Sequence, residues 1–131
     1  MAKRMDEVHK ATAVIAPQDV GTGDVTGSWV DARDAEKVQV FAQAGAVTAD
    51  KILTVTLMQA TSSGGAGAKA VGSPVTSVGV GGAAPPAVKF EKYVGEIDSA
   101  GGFRYVTAKL RIDEAAKLGS AWIVLGGALR Y

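Results

Sequence analysis

The chain contains no cysteine and a single histidine, His9. The first absence excludes disulfides and thiolate metal sites, and leaves the redox compartment open. The second excludes a histidine-based metal site or a Ser-His-Asp triad built within one chain. Neither sign of charge is in surplus, since 14 Lys and Arg stand against 13 Asp and Glu for a formal +1. A general nucleic-acid binder carries a basic face or stripe, so nucleic acid is not the expected partner. So low a net charge also gives little electrostatic protection against self-association. No apolar run approaches the roughly 18 residues that a membrane-spanning helix needs. Residues 1–10 are polar and lack the apolar core of a signal peptide, so the expectation is a soluble, non-secreted chain with no membrane partner.

Glycine, by contrast, is abundant. The chain has 17 glycines in 131 residues, about twice the usual share of ~7%. Seven of them lie from Gly64 to Gly82, together with Pro74 and followed by Pro85 and Pro86, so residues 62–86 read as one long Gly/Pro-rich loop. The length suits a single domain over residues 1–131, with residues 1–10 as a polar N-terminal arm.

Outside the loop, short apolar runs with a period of two alternate with turn residues. Residues 8–16 (VHKATAVIA) predict a strand stopped by Pro17, and residues 28–32 a short one around Trp29. Residues 36–44 put Val38, Val40 and Ala42 on one face and Lys37, Gln39, Phe41 and Gln43 on the other. Residues 51–60 put Leu53, Val55 and Leu57 inward, with Thr54 and Thr56 outward. Residues 88–97 alternate less cleanly, and Gly95 suggests a bulge or bend. Residues 102–112 align Val106, Ala108, Leu110 and Ile112, with Arg104 at the rim of that face. Residues 113–117 (DEAAK) suit one helical turn. The nearly all-apolar end of the chain, from residue 119, reads as a strand buried on both sides. Seven to eight short strands with no intervening helices predict an all-β fold, an antiparallel β-sandwich or jelly roll.

Candidate chemistry is thin. GTGDVTG (residues 21–27) has G-x-G-x-x-x-G spacing and precedes a strand, whereas a dinucleotide fingerprint opens a helix. GGAGAKA (residues 64–70) sets Lys69 between alanines, with no hydroxyl to hold magnesium, so it reads as a flexible loop. Asp31, Asp34 and Glu36, or Glu96 and Asp98, stand two or three apart as carboxylates at strand rims commonly do. Trp29 and Trp122 suit core or interface, or platforms for a sugar. Phe41 is the exception, an aromatic on an otherwise polar strand face, and is expected in a subunit interface. The candidate partner contacts are therefore Lys3, Arg4, His9 and Lys10 in and beside the arm, Phe41, and Lys69 in the loop. No catalytic residue, cofactor or metal is expected.

The blocks GSWVDARDAEKVQVFAQAGAV (residues 27–47) and LTVTLMQATSSGGAGAKAV (residues 53–71) resemble small virion structural proteins encoded beside the major capsid protein of tailed bacteriophages. VGEIDS (residues 94–99), GFRYVTAKL (residues 102–110) and the terminal Leu129-Arg130-Tyr131 extend the resemblance over most of the chain. It implies a non-enzymatic decoration or cement protein on the capsid surface. Such a protein is made in the host cytoplasm and binds the major capsid protein lattice and neighbouring copies of itself as a homo-oligomer. A head–tail connector or tail component is the alternative within the same virion, and a carbohydrate-binding sandwich is the alternative outside it.

Overall fold

The computed structural model describes residues 9–20, 22–33, 35–80 and 85–126. Among the described residues ten strands run in chain order: β1 (His9–Asp19), β2 (Val25–Thr26), β3 (Val30–Asp31), β4 (Lys37–Ala44), β5 (Ile52–Ala60), β6 (Lys69–Ala70), β7 (Val75–Val78), β8 (Ala87–Tyr93), β9 (Tyr105–Ile112) and β10 (Leu118–Gly126). They form two antiparallel sheets, one ordered β1-β10-β4-β8 and the other β2-β9-β5-β6, with β3 also on β9 and β7 also on β5. The chain is an all-β sandwich.

Alternation sorts the side chains. Val38, Val40 and Ala42 of β4 and Ala121 and Ile123 of β10 are fully buried, as are Leu53 and Val55 of β5 and Val106, Ala108, Leu110 and Ile112 of β9. These four strands are inner members of their sheets, so their inward residues meet across the sandwich with backbone groups already paired. Burying each Val, Leu or Ile is worth about 1.5–3 kcal/mol, which makes this stripe the main source of stability. Arg104 stands just before β9, at the rim where the alternation placed it.

Several details differ from the sequence expectation. β1 does not stop at Pro17 but continues to Asp19. Its pairing to β10 shifts register between Ala13 and Ile15 and again between Ile15 and Gln18, so Pro17 sits at an irregularity on an edge strand, where its missing N–H costs little. The first shift also lets consecutive residues, Val14 and Ile15, both be buried. The strand expected over residues 28–32 is only the two-residue β3, with Trp29 just before it, and a further two-residue strand, β2, lies in the glycine cluster ahead of it. The glycine-rich stretch carries β6 and β7, which use the free edge of β5. With three two-residue strands included, the count is ten rather than seven or eight.

β8 ends at Tyr93, and Gly95 lies in a 3-10 turn, Val94–Glu96, instead of bending a strand. Residues 113–117 form a turn and no helix, because their side chains serve as caps: Asp113 accepts from the Ile52 N–H at 2.6 Å and Glu114 from the Thr48 N–H at 2.9 Å. β10 is buried on its inner face only, since Trp122 is 43% exposed and Leu118 59% on the other. Thr56 does point outward, yet it is buried. The described residues contain no helix long and apolar enough to cross a membrane.

Leu110→Ala is expected to cost about 2–5 kcal/mol by opening a cavity between the sheets. Thr54→Ala, at a half-buried outward position, should cost under about 1 kcal/mol. Thermal unfolding of the two variants checks this, and equal shifts would refute the face assignment.

Candidate functional site

The two sheets expose very different outer faces. Over the second sheet, Met58, Ala60 and Thr107 point away from the sandwich interior and are nevertheless buried. Chain crosses close above them: a Cβ on Gly27 would lie 2.7 Å from the Thr107 hydroxyl oxygen, so only glycine fits there. Trp29 is half-buried beneath the glycine-rich segment, where a Cβ on Gly65 would meet its indole nitrogen at 2.6 Å. Gly65 has φ +86°, a left-handed conformation that a side chain would strain. Three of its amides are spent internally, with Gly64 and Ala66 donating to the Ser62 hydroxyl at 3.3 and 3.2 Å and Gly65 to the Ser62 carbonyl at 3.0 Å.

The outer face of the first sheet is open. Phe41 on β4 and Trp122 on β10 are register neighbours, 40% and 43% exposed, with Ala13 beside them on β1 and Lys89 on β8. Phe41 thus stands where its strand pattern put it. Sequence reasoning named Trp122 for core, interface or a sugar platform but did not fix its outward facing, because the run Ala-Trp-Ile-Val-Leu is apolar at every position. The only usable signal was the pairing itself, which sequence does not print. An open shallow hollow of about 120 Å³ at one end of this sheet is bordered by Pro17, Gly45 and Leu118.

A second cluster occupies a corner of the molecule. The Asp31 carboxylate accepts from Arg104 through both Nε, at 3.1 Å, and Nη2, and from the Arg33 backbone N–H at 3.1 Å. The Arg104 hydrogen bond foremost, with Arg33 assisting, holds the Asp31 pKa below its ordinary value. Nearby, Asp98 accepts from Lys69 Nζ at 2.8 Å, which lowers its pKa, and from the Gly101 N–H at 3.0 Å. Lys69 also lies over the Phe103 ring, 4.4 Å from its centroid. A cavity of about 230 Å³ here is walled by Ala32, Val94, Ile97 and Phe103, with Arg33 and Arg104. Among the described residues its lining is completed by Ser99.

The candidate residues are therefore dispersed. Lys3, Arg4 and Asp34 lie outside the described residues, and His9 opens β1 with its side chain likewise outside them. Lys10 is exposed on β1, at the edge of the first sheet. Lys69 fastens the glycine-rich segment to Asp98 and Phe103. Glu96 accepts from the Tyr93 N–H at 2.9 Å, and Glu36 is exposed. Among the described residues no group of three or more His, Cys, Asp or Glu is placed to hold a metal.

No protein-family model matches the chain, and no curated protein matches it. Solved structures do. A chain of the infectious bursal disease virus Gx strain aligns with TM-score 0.52 and 12% identity, over 93% of this chain and 34% of that one. The infectious bursal disease virus VP2 subviral particle aligns with TM-score 0.51 and 12% identity over the same shares, 93% and 34%. A chain of the Bacillus endospore appendages, a family of disulfide-linked pili, aligns with TM-score 0.49 and 12% identity over 91% and 88%. The chain spans about a third of the length of the viral chains it matches. The fold is an antiparallel β-sandwich with one partly covered and one open outer face. It is of the kind found in a protein of a virus particle.

Gly65→Ala is expected to cost about 1–2 kcal/mol through left-handed strain, and more if the indole cannot shift. A red-shifted tryptophan emission with a lower melting temperature checks it. A carboxylate whose pKa is depressed on folding stabilises while ionised. That stabilisation is complete above the unfolded value near 3.8 and is lost as pH falls through the lower folded value. The melting temperature should therefore drop between about pH 5 and pH 2, and Asp31→Asn should flatten part of that drop. A melting temperature independent of pH over this range would remove both ion pairs from the account.

Proposed function

We propose that the chain is a non-enzymatic structural protein of a virion, one that decorates and stabilises a tailed-phage capsid by binding the major capsid protein lattice. The observation that carries this reading is the open outer face of the first sheet, with Phe41 and Trp122 side by side on a rigid support. The corner cavity, walled by apolar groups and by guanidinium groups engaged with Asp31, favours no reaction. Likeness of fold to a viral particle protein and the residue-level resemblance to phage virion proteins support the same conclusion.

In this account the sandwich is a rigid body, and Lys3, Arg4, His9 and Lys10 in and beside the arm reach the shell. Phe41 meets a neighbouring copy. Each contact is weak alone, and repetition over a symmetric lattice multiplies them. A place at the head–tail junction or in the tail would use the same surfaces. The exposed Trp122 beside Phe41 also favours a second reading, a carbohydrate-binding sandwich, over a pocket enzyme.

Purified chain mixed with emptied phage heads should co-sediment and saturate at a fixed number per capsomer. Removing residues 1–10 should lower that occupancy, and unchanged occupancy would take the arm out of the account. Chain left in the supernatant at every concentration, with Trp122-dependent binding on a glycan array, would replace the virion reading with the carbohydrate one.

A further inference from the structure

Six large apolar side chains stand exposed among the described residues, and four of them, Phe41, Tyr93, Leu118 and Trp122, lie on the outer face of the first sheet. Phe41 and Trp122 adjoin at its centre, with Leu118 beyond Ser120 at one end and Tyr93 beyond Glu91 at the other, and an exposed aromatic pair of this kind marks an interaction surface. The strand register sets the face out in rows. One row runs Ala13, Trp122, Phe41, Lys89 from β1 across to β8. The next, two residues along each strand, runs Ala11, Val124, Gln39, Glu91. Lys89 and Glu91 thus stand side by side on the same face of β8, both exposed, and neither forms an ion pair with a described residue.

We propose that this face binds a second copy of the chain, outer face to outer face, about a two-fold axis that crosses the strands midway between the two rows. Such an axis exchanges the rows. Lys89 then faces Glu91 of the other copy and Glu91 faces its Lys89, so one pair of adjacent residues supplies two reciprocal ion pairs. Trp122 falls on Val124 and Ala13 on Ala11. Phe41 falls on Gln39, and beyond the rows Tyr93 falls on Ala87, so each aromatic meets a smaller side chain.

A two-fold axis running along the strands between β10 and β4 would do the opposite. It would set Trp122 on Phe41 and press both charges of β8 onto the alanines of β1, where they are desolvated and unpaired. A partner of one net sign would likewise leave Lys89 or Glu91 against a like charge. The alternating charges therefore select a copy of the same face as the occupant.

Four strands about 4.8 Å apart and eight residues of about 3.4 Å each give on the order of 500 Å² per copy. A standard stable interface has about 800 Å² per partner, so the pairing is weak in free solution and gains strength only in an array. The inference concerns the chain itself and does not rest on a virion role.

Sedimentation equilibrium from roughly 10 µM to roughly 1 mM at low salt tests it, that range being where so small an interface associates. The expected result is a reversible monomer–dimer equilibrium. Lys89→Glu alone and Glu91→Lys alone should each weaken it about tenfold or more, and the double exchange should restore it to within about threefold. Trp122→Ala should also weaken it about tenfold. All four variants change exposed side chains, and circular dichroism verifies their fold. No association up to about 1 mM, or a double exchange no better than the single changes, would overturn the proposal. So would a dimer indifferent to Trp122, or Trp122-dependent capture of glycans or capsid shells by a chain that stays monomeric.

Discussion

Residues at alternate positions of β4 and β10 interlock with those of β5 and β9, and this packing between two sheets constrains everything else in the molecule. Val38, Val40, Ile123, Leu53, Val55, Leu110 and Ile112 are all fully buried there. Because the side-chain period is two, burying this set determines which residues must face outward. A slip of one residue in β4 would bury Phe41 and Gln39 and expose Val38 and Val40, at a cost of several kcal/mol by the apolar area alone. The outer surface is thus as firmly specified as the core.

That constraint has unequal consequences for the two sheets. Connections between β1 and β4 and between β5 and β8 pass over or beside the second sheet, where Gly27, Trp29 and Gly65 make close approaches. Its outward residues, Thr56, Met58 and Thr107, become a second buried layer. Nothing among the described residues crosses the first sheet in the same way, and its aromatic pair remains in solvent. A sheet bearing an exposed aromatic pair on a chain of formal charge +1 offers a surface for weak, repeated contact.

Much of this architecture was legible in the sequence, because β4, β9 and the stretch Leu53–Leu57 of β5 alternate cleanly, with outward sets that are mostly polar or charged. Phe41 was legible for the same reason, as the one aromatic that broke a polar face. Features that depend on distant partners were not. β1 runs past Pro17 because it is an edge strand with shifted register, and β6 and β7 exist because β5 offers a free edge. The outward facing of Trp122 was masked by a run in which every residue is apolar, and the row that joins it to Phe41 and Lys89 appears only once three strands are aligned. The Asp31–Arg104 pair spans 73 residues and has no local signature.

The most direct test of the central claim, that the open sheet face and not a cleft is the working part, is hydroxyl-radical footprinting of the chain free and assembled. The account predicts that Trp122 and Phe41 lose reactivity on assembly while Phe103, in the corner cavity, keeps its own. Protection of Phe103 with Trp122 and Phe41 still reactive would contradict it.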